Sequence, residues 1–221
     1  MDPAAAFAAL VSGPPTALRL DRACALMAAA FTGRDRTDEV RSRLDELAGD
    51  VADRSLAGVL AVMRDRLRGN RDDYYDPRNS FLDEVLARGL GLPITLSVVA
   101  IEVGRRAGVP IVGIGLPSHF MVREASREVY GDPFGDGAMY DRSGVVAAWH
   151  RLVGEGHAFD ELHLAPVSER VILIRMLNNL RGVYLRTHDP RGMYALSVMR
   201  GGFAELAHEA ADHAQWVRHL N

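Results

Sequence analysis

Residues 93–107 constrain the fold more than any other stretch of this chain. Ile94, Leu96, Val98, Val99, Ala100, Ile101 and Val103 leave the segment apolar nearly all round, and a helix apolar on every face has to be buried. Pro93 stands where that helix should open. Proline is tolerated there because its missing N–H would have had no helical partner. Gly108 should end the helix. A chain with such a helix must wrap it with other elements. Of its 221 residues, 48% are hydrophobic and 25% charged, the balance of an ordinary globular protein and enough for one substantial core.

Three strand-like pieces follow the helix. Residues 109–116 are β-branched and glycine-containing, 119–124 alternate, and 128–134 end in Asp-Pro-Phe-Gly. Short turns between them predict an antiparallel meander packed on the buried helix, with Ile101 facing the strands. Elsewhere the chain reads as helical. Residues 18–31, 38–47 and 55–67 carry apolar residues at helical spacing, with Ser55 as an N-cap. Residues 70–79 have loop chemistry, and Asn79 or Ser80 should cap a short helix that Gly89 stops. Helices are expected again at 143–153 and 169–186. His188-Asp189-Pro190 then turns into a helix pair near the C-terminus. The fold class is α+β, mostly helical. An N-terminal helical region (1–70), a core (71–140) and C-terminal helices (141–221) should share one body.

Composition excludes several chemistries. All 26 Lys+Arg residues are arginine, so there is no lysine for a pyridoxal-phosphate Schiff base or a phosphate-binding loop. One cysteine excludes a disulfide framework and a cysteine-based zinc site. Cys24, in an Ala-rich helix, reads as a small buried hydrophobe. The formal net charge is -3, and the run Arg64, Arg66, Arg68 and Arg71 alternates with acids as a solvated face, so no nucleic-acid partner is expected. No window approaches the roughly 18 consecutive apolar residues of a membrane helix. Residues 4–11 lack the basic flank of a secretory signal, and a cytoplasmic location is the expectation. Glu205 with His208, Glu209 with His213, and His157 with His163 each lack the further ligands of a metal site. No metal and no cofactor are expected.

The chemistry concentrates elsewhere. A nucleophile-plus-base site needs a nucleophile, a histidine in reach and a group that orients the histidine. His119, after Pro117-Ser118, should open one strand, and Asp132, thirteen residues on, should close the next. Adjacent antiparallel strands can set them side by side, with Asp132 accepting from the imidazole. The blander alternative is a hydrogen bond that merely ties two strands. The free N–H groups at the start of the buried helix favour an anion or oxyanion in the same cleft. Thr95 and Ser97 carry the nearest hydroxyls, and a Thr95–His119 pair would be a cryptic nucleophile. Tyr75, Asp76 and Asn79 either line this cleft or form a turn.

Five blocks together resemble the bacterial SirB-type transglutaminase-like proteins. They are Tyr74-Tyr75-Asp76-Pro77-Arg78-Asn79-Ser80-Phe81-Leu82, Gly91-Leu92-Pro93-Ile94-Thr95-Leu96-Ser97, Leu116-Pro117-Ser118-His119-Phe120, Asp132-Pro133-Phe134 and Arg175-Met176-Leu177-Asn178-Asn179-Leu180. The resemblance implies a papain-like core of a buried helix on a small antiparallel sheet, followed by tetratricopeptide-like helices. It also implies a catalytic cysteine at the helix start, a position that falls here on Pro93. Proline has no nucleophilic atom, and the family often shows this loss. The resemblance therefore implies a non-catalytic module that binds a peptide, amide or protein partner through Pro93, Ser118, Tyr75, Asp76 and Asn79 around His119 and Asp132. The alternative is an amide hydrolase or acyltransferase using Thr95 with His119 and Asp132.

Overall fold

The computed structural model describes residues 2–209. Four helices lead: α1 (Pro3–Ser12), α2 (Leu20–Thr32), α3 (Thr37–Gly49) and α4 (Leu56–Arg66). Ser55 caps α4 as expected, its hydroxyl accepting from the Gly58 N–H at 3.1 Å. A short strand, β1 (Arg68–Gly69), leads through a loop to α5 (Leu82–Arg88) and β2 (Leu90–Gly91), which pairs in parallel with β1. Neither Asn79 nor Ser80 caps α5. Both lie in a 3-10 turn, Pro77–Ser80, and the N-cap is Phe81 with no side-chain hydrogen bond.

Next comes α6 (Pro93–Ala107), with Pro93 in its first turn and Gly108 closing it in a left-handed conformation. Leu96, Val98, Val99, Ala100 and Val103 have no accessible surface. Ile101 is a correction: it is only partly buried, and its neighbours Ala100 and Val103 take the interior positions.

The meander follows as β3 (Ile111–Ile114), β4 (Met121–Glu124), β5 (Tyr130–Asp132) and β6 (Ala138–Tyr140). After α7 (Arg142–Val153), β7 (Pro166–Val167) returns to the far edge, giving an antiparallel sheet in the order β6-β5-β4-β3-β7. The strands are shorter than the pattern suggested, and His119 precedes β4 rather than opening it. The period-two alternation of a strand sends Ile111 and Val122 into the main core with α6. It sends Ile114, Met121 and Tyr130 to a second cluster with Val145 and Trp149 of α7. The sheet is thus covered on one face by α6 and at one end of the other by α7.

Two helices complete the described chain, α8 (Glu169–Thr187) and α9 (Pro190–Arg200), followed by a 3-10 turn over Ala204–Glu209. The rest of the expected terminal helix pair, and His213 with it, lies outside the described residues. The main core runs from Ala4 and Phe7 of α1 to Met199 and Phe203. Among the described residues no helix is long and apolar enough to cross a membrane.

Candidate functional site

The site is built on a hairpin. His119 Nε2 lies 2.8 Å from Asp132 Oδ2. The other carboxylate oxygen, Oδ1, accepts from the backbone N–H groups of Phe134 and Gly135 at 3.0 Å each. With its carboxylate so anchored, Asp132 presents one oxygen to the imidazole. A carboxylate only accepts, so in this contact the imidazole Nε2 is the donor. Gly135 permits the close approach: a Cβ there would sit 2.7 Å from Asp132 Oδ2. Asp132 and His119 are each about nine-tenths buried at the side chain, in an environment where such a pair holds its geometry.

The turn that carries His119 is held from two sides. Ser118 takes a left-handed conformation, φ 62°, and the His119 N–H donates to Leu116 O at 3.3 Å. From α8, Arg175 donates to Leu116 O at 2.8 Å and His119 O at 3.0 Å, while its guanidinium packs over Phe120 at 5.2 Å. Burial pushes the Arg175 pKa below the ordinary arginine value, as expected for a cation whose partners are carbonyls rather than carboxylates. Gly115 makes room for it, since a Cβ there would lie 2.6 Å from the guanidinium. From α7, Trp149 Nε1 donates to Pro117 O at 3.2 Å.

A solvent-open cleft of about 500 Å³ lies over this hairpin, and Pro93, Ser118, His119 and Asp132 line it. Pro93 thus brings the start of α6 to the pair. Leu92, the N-cap of α6, supplies no capping side chain, so the first N–H groups of the helix have no intrahelical acceptor. The remaining walls are largely aromatic, from Tyr74, Phe134, Tyr140 and Trp149. Tyr74, Phe134 and Arg175 stand in the resembling sequence blocks but received no site role there, and Tyr140 and Trp149 were not singled out. Tyr74 stands beside the residue that was.

The structure places the other candidates away from the cleft. Thr95 has no accessible surface, and its hydroxyl is enclosed without a hydrogen-bond partner, as is that of Ser97. Asn79 is fully buried and ties the preceding loop: it donates to Asp73 O at 2.7 Å and accepts from Asn70 at 3.0 Å. Asp76 pairs with Arg78 and Arg88 at 2.8 and 3.2 Å. Tyr75 is exposed and lies under the Arg186 guanidinium, 3.9 Å from its ring centre. Asn79 and Asp76 act as loop fasteners; the alternative left open for them was a turn, and that is where they sit. Cys24 is enclosed in the helical core, where burial raises its thiol pKa far above the usual range. Among the described residues no cluster of three or more His, Cys, Asp or Glu could hold a metal ion.

A helix start, a histidine on a turn before one strand and an aspartate at the end of the next form the frame of the transglutaminase-like superfamily. The family model of that description matches residues 34–178, and the chain belongs to this superfamily. Its relatives include an uncharacterised-family protein, UPF0162, from Xylella fastidiosa, 39% identical over 161 residues. That match covers 67% of this chain and 57% of the relative. A UPF0162 protein of Vibrio cholerae is 33% identical over 53% of this chain and 44% of its own. The mouse F-box only protein 21 is 32% identical over 61% of this chain and 22% of its own. The match thus spans about half the length of these UPF0162 relatives, 57% of one and 44% of the other. No solved structure matches the chain.

Proposed function

We propose that the chain is a non-catalytic transglutaminase-like module whose cleft at His119 binds a peptide or amide group of a partner. One observation carries the reading. Pro93, a residue with no nucleophilic atom, lines the same cleft as the hydrogen-bonded His119–Asp132 pair. The base and its orienting carboxylate are therefore in place, N–H groups at the helix N-terminus can donate to a carbonyl oxygen, and the atom that would attack is missing. A route through Thr95 has less support, because that hydroxyl is enclosed and does not line the cleft.

The SirB-type subgroup and a tetratricopeptide-like tail belong to the same proposal, supported by the order of the five sequence blocks and by the helical character of α8 and α9. So does a reducing, cytoplasmic setting, with which a single free and buried thiol agrees.

The test restores the missing atom. Pro93→Cys should place a thiol near the imidazole, which lowers its pKa and makes it reactive. With iodoacetamide at neutral pH, only Pro93→Cys should be modified rapidly. Wild type and Pro93→Cys/His119→Ala should react slowly. A wild-type adduct at Thr95 with a hydroxyl-reactive acylating probe would favour the hydrolase or acyltransferase alternative. A Pro93→Cys thiol no more reactive than an exposed cysteine would show that Pro93 does not face His119.

A further inference from the structure

The charges of the cleft do not balance. The charged side chains among its lining residues are Arg71, Arg151 and Asp132, with His119 titratable beside them. Asp132 is committed to His119 and to two backbone N–H groups. Arg71 has no carboxylate partner among the described residues: its guanidinium donates to Phe134 O at 3.3 Å and lies 5.4 Å from the centre of the Phe134 ring. Those contacts hold it at the cleft wall with donors to spare. Arg151, on α7 two residues after Trp149, likewise has no ion pair among the described residues. Arg66, Arg88, Arg105, Arg106 and Arg170, by contrast, face carboxylates. Asp72 and Asp73 follow Arg71 in the chain but do not line the cleft.

We propose that Arg71 and Arg151 form an anion subsite in this cleft and that its ligand is a peptide carrying a carboxylate beside an aromatic or aliphatic side chain. The inference rests on the peptide-binding reading above and names what that reading leaves open. A planar guanidinium donates two parallel hydrogen bonds to a carboxylate, the geometry that sets arginine apart from a point charge. The unsatisfied N–H groups at the start of α6 add positive potential on the Pro93 side. Between these charges lie Tyr74, Phe134 and Trp149, surfaces for an apolar side chain next to the acidic group. The volume, about 500 Å³, holds one or two residues of a peptide. The carboxylate has two sources in a peptide, its C-terminus or an acidic side chain, and both offer the same group.

Three pools of tetrapeptides carrying an uncharged BODIPY dye at the N-terminus separate them by fluorescence polarisation on the full chain. One has a free C-terminus and no Asp or Glu, one is C-amidated with no Asp or Glu, and one is C-amidated with one Glu. At least one carboxylate-bearing pool should bind about tenfold or more tighter than the neutral amidated pool, and the pool that does so names the source. Arg71→Ala and Arg151→Ala should each erase most of that preference, whereas Arg54→Ala, outside the cleft, should not. Added salt should narrow the gap. Equal binding of all three pools, or a preference that survives both arginine variants, overturns the anion subsite and leaves the peptide-binding reading standing. Binding of none of the pools overturns both.

Discussion

Cys24 has no accessible surface, and its Sγ lies 3.8 Å from Sδ of Met176. Burial, followed by the charges of Glu102 and Asp21, raises its pKa far above the usual thiol value, so the thiolate that an alkylating agent needs is scarce at neutral pH. Native protein should take up iodoacetamide slowly, and urea should release fast, stoichiometric labelling at this one site. Rapid labelling without denaturant would contradict the placement. Asp76 behaves in the opposite sense. Burial alone would raise its carboxyl pKa, but hydrogen bonds from Arg78 and the charges of Arg88 and Arg78 outweigh burial and hold it below the usual range. A folded value below the unfolded one means that the contribution to stability is complete above the unfolded pKa and lost as pH falls through the folded value. Asp76→Asn should therefore cost about 1–3 kcal/mol at pH 7. The gap to wild type should close in acid, below about pH 4. Urea midpoints at pH 7 and pH 3 check this, and an equal gap at both would remove the charge as its source.

The element that organises the fold, α6, was legible because its pattern admits one reading: a segment without a polar face, opened by Pro93 and closed by Gly108, has to be interior. Its rotation was less legible, since a helix apolar all round does not announce which residue faces which neighbour, and Ile101 turned out only partly buried. Leu96→Ala should cost about 2–5 kcal/mol through lost burial and a cavity, and Ile101→Ala clearly less, as chemical denaturation of the two variants would show. The His119–Asp132 pair could be read from two residues flanking a tight hairpin. The thiol reactivity of Pro93→Cys, with and without His119, is the measurement that reads its chemistry. Strands β6 and β7 were not legible, because three and two residues are too few for alternation to appear. Tyr74 and Arg175, though part of the resembling blocks, received no site role, and Trp149 was missed, for a different reason. They sit in a loop or on ordinary amphipathic helices, and only the packing of α7 and α8 against one turn gives them a role.

Across the whole molecule one hydrophobic cluster joins Phe7 near the N-terminus, Leu96 and Val99 at the centre and Met176, Leu196 and Phe203 near the end of the described chain. Elements so connected should unfold together. Urea transitions followed by far-UV circular dichroism and by tryptophan fluorescence should coincide, whereas a fragment of residues 71–140 should show no cooperative transition. Separate midpoints for the two probes would indicate independent units. The Arg175 clamp adds an order in time. His119 and Arg175 are 56 positions apart in the chain, and a ribosome delivers about 5–20 residues each second. The hairpin with its histidine leaves the exit tunnel some seconds before the guanidinium that fastens its turn. During that interval the nascent chain can hold the imidazole and its aspartate while the turn that carries them still lacks its clamp from α8.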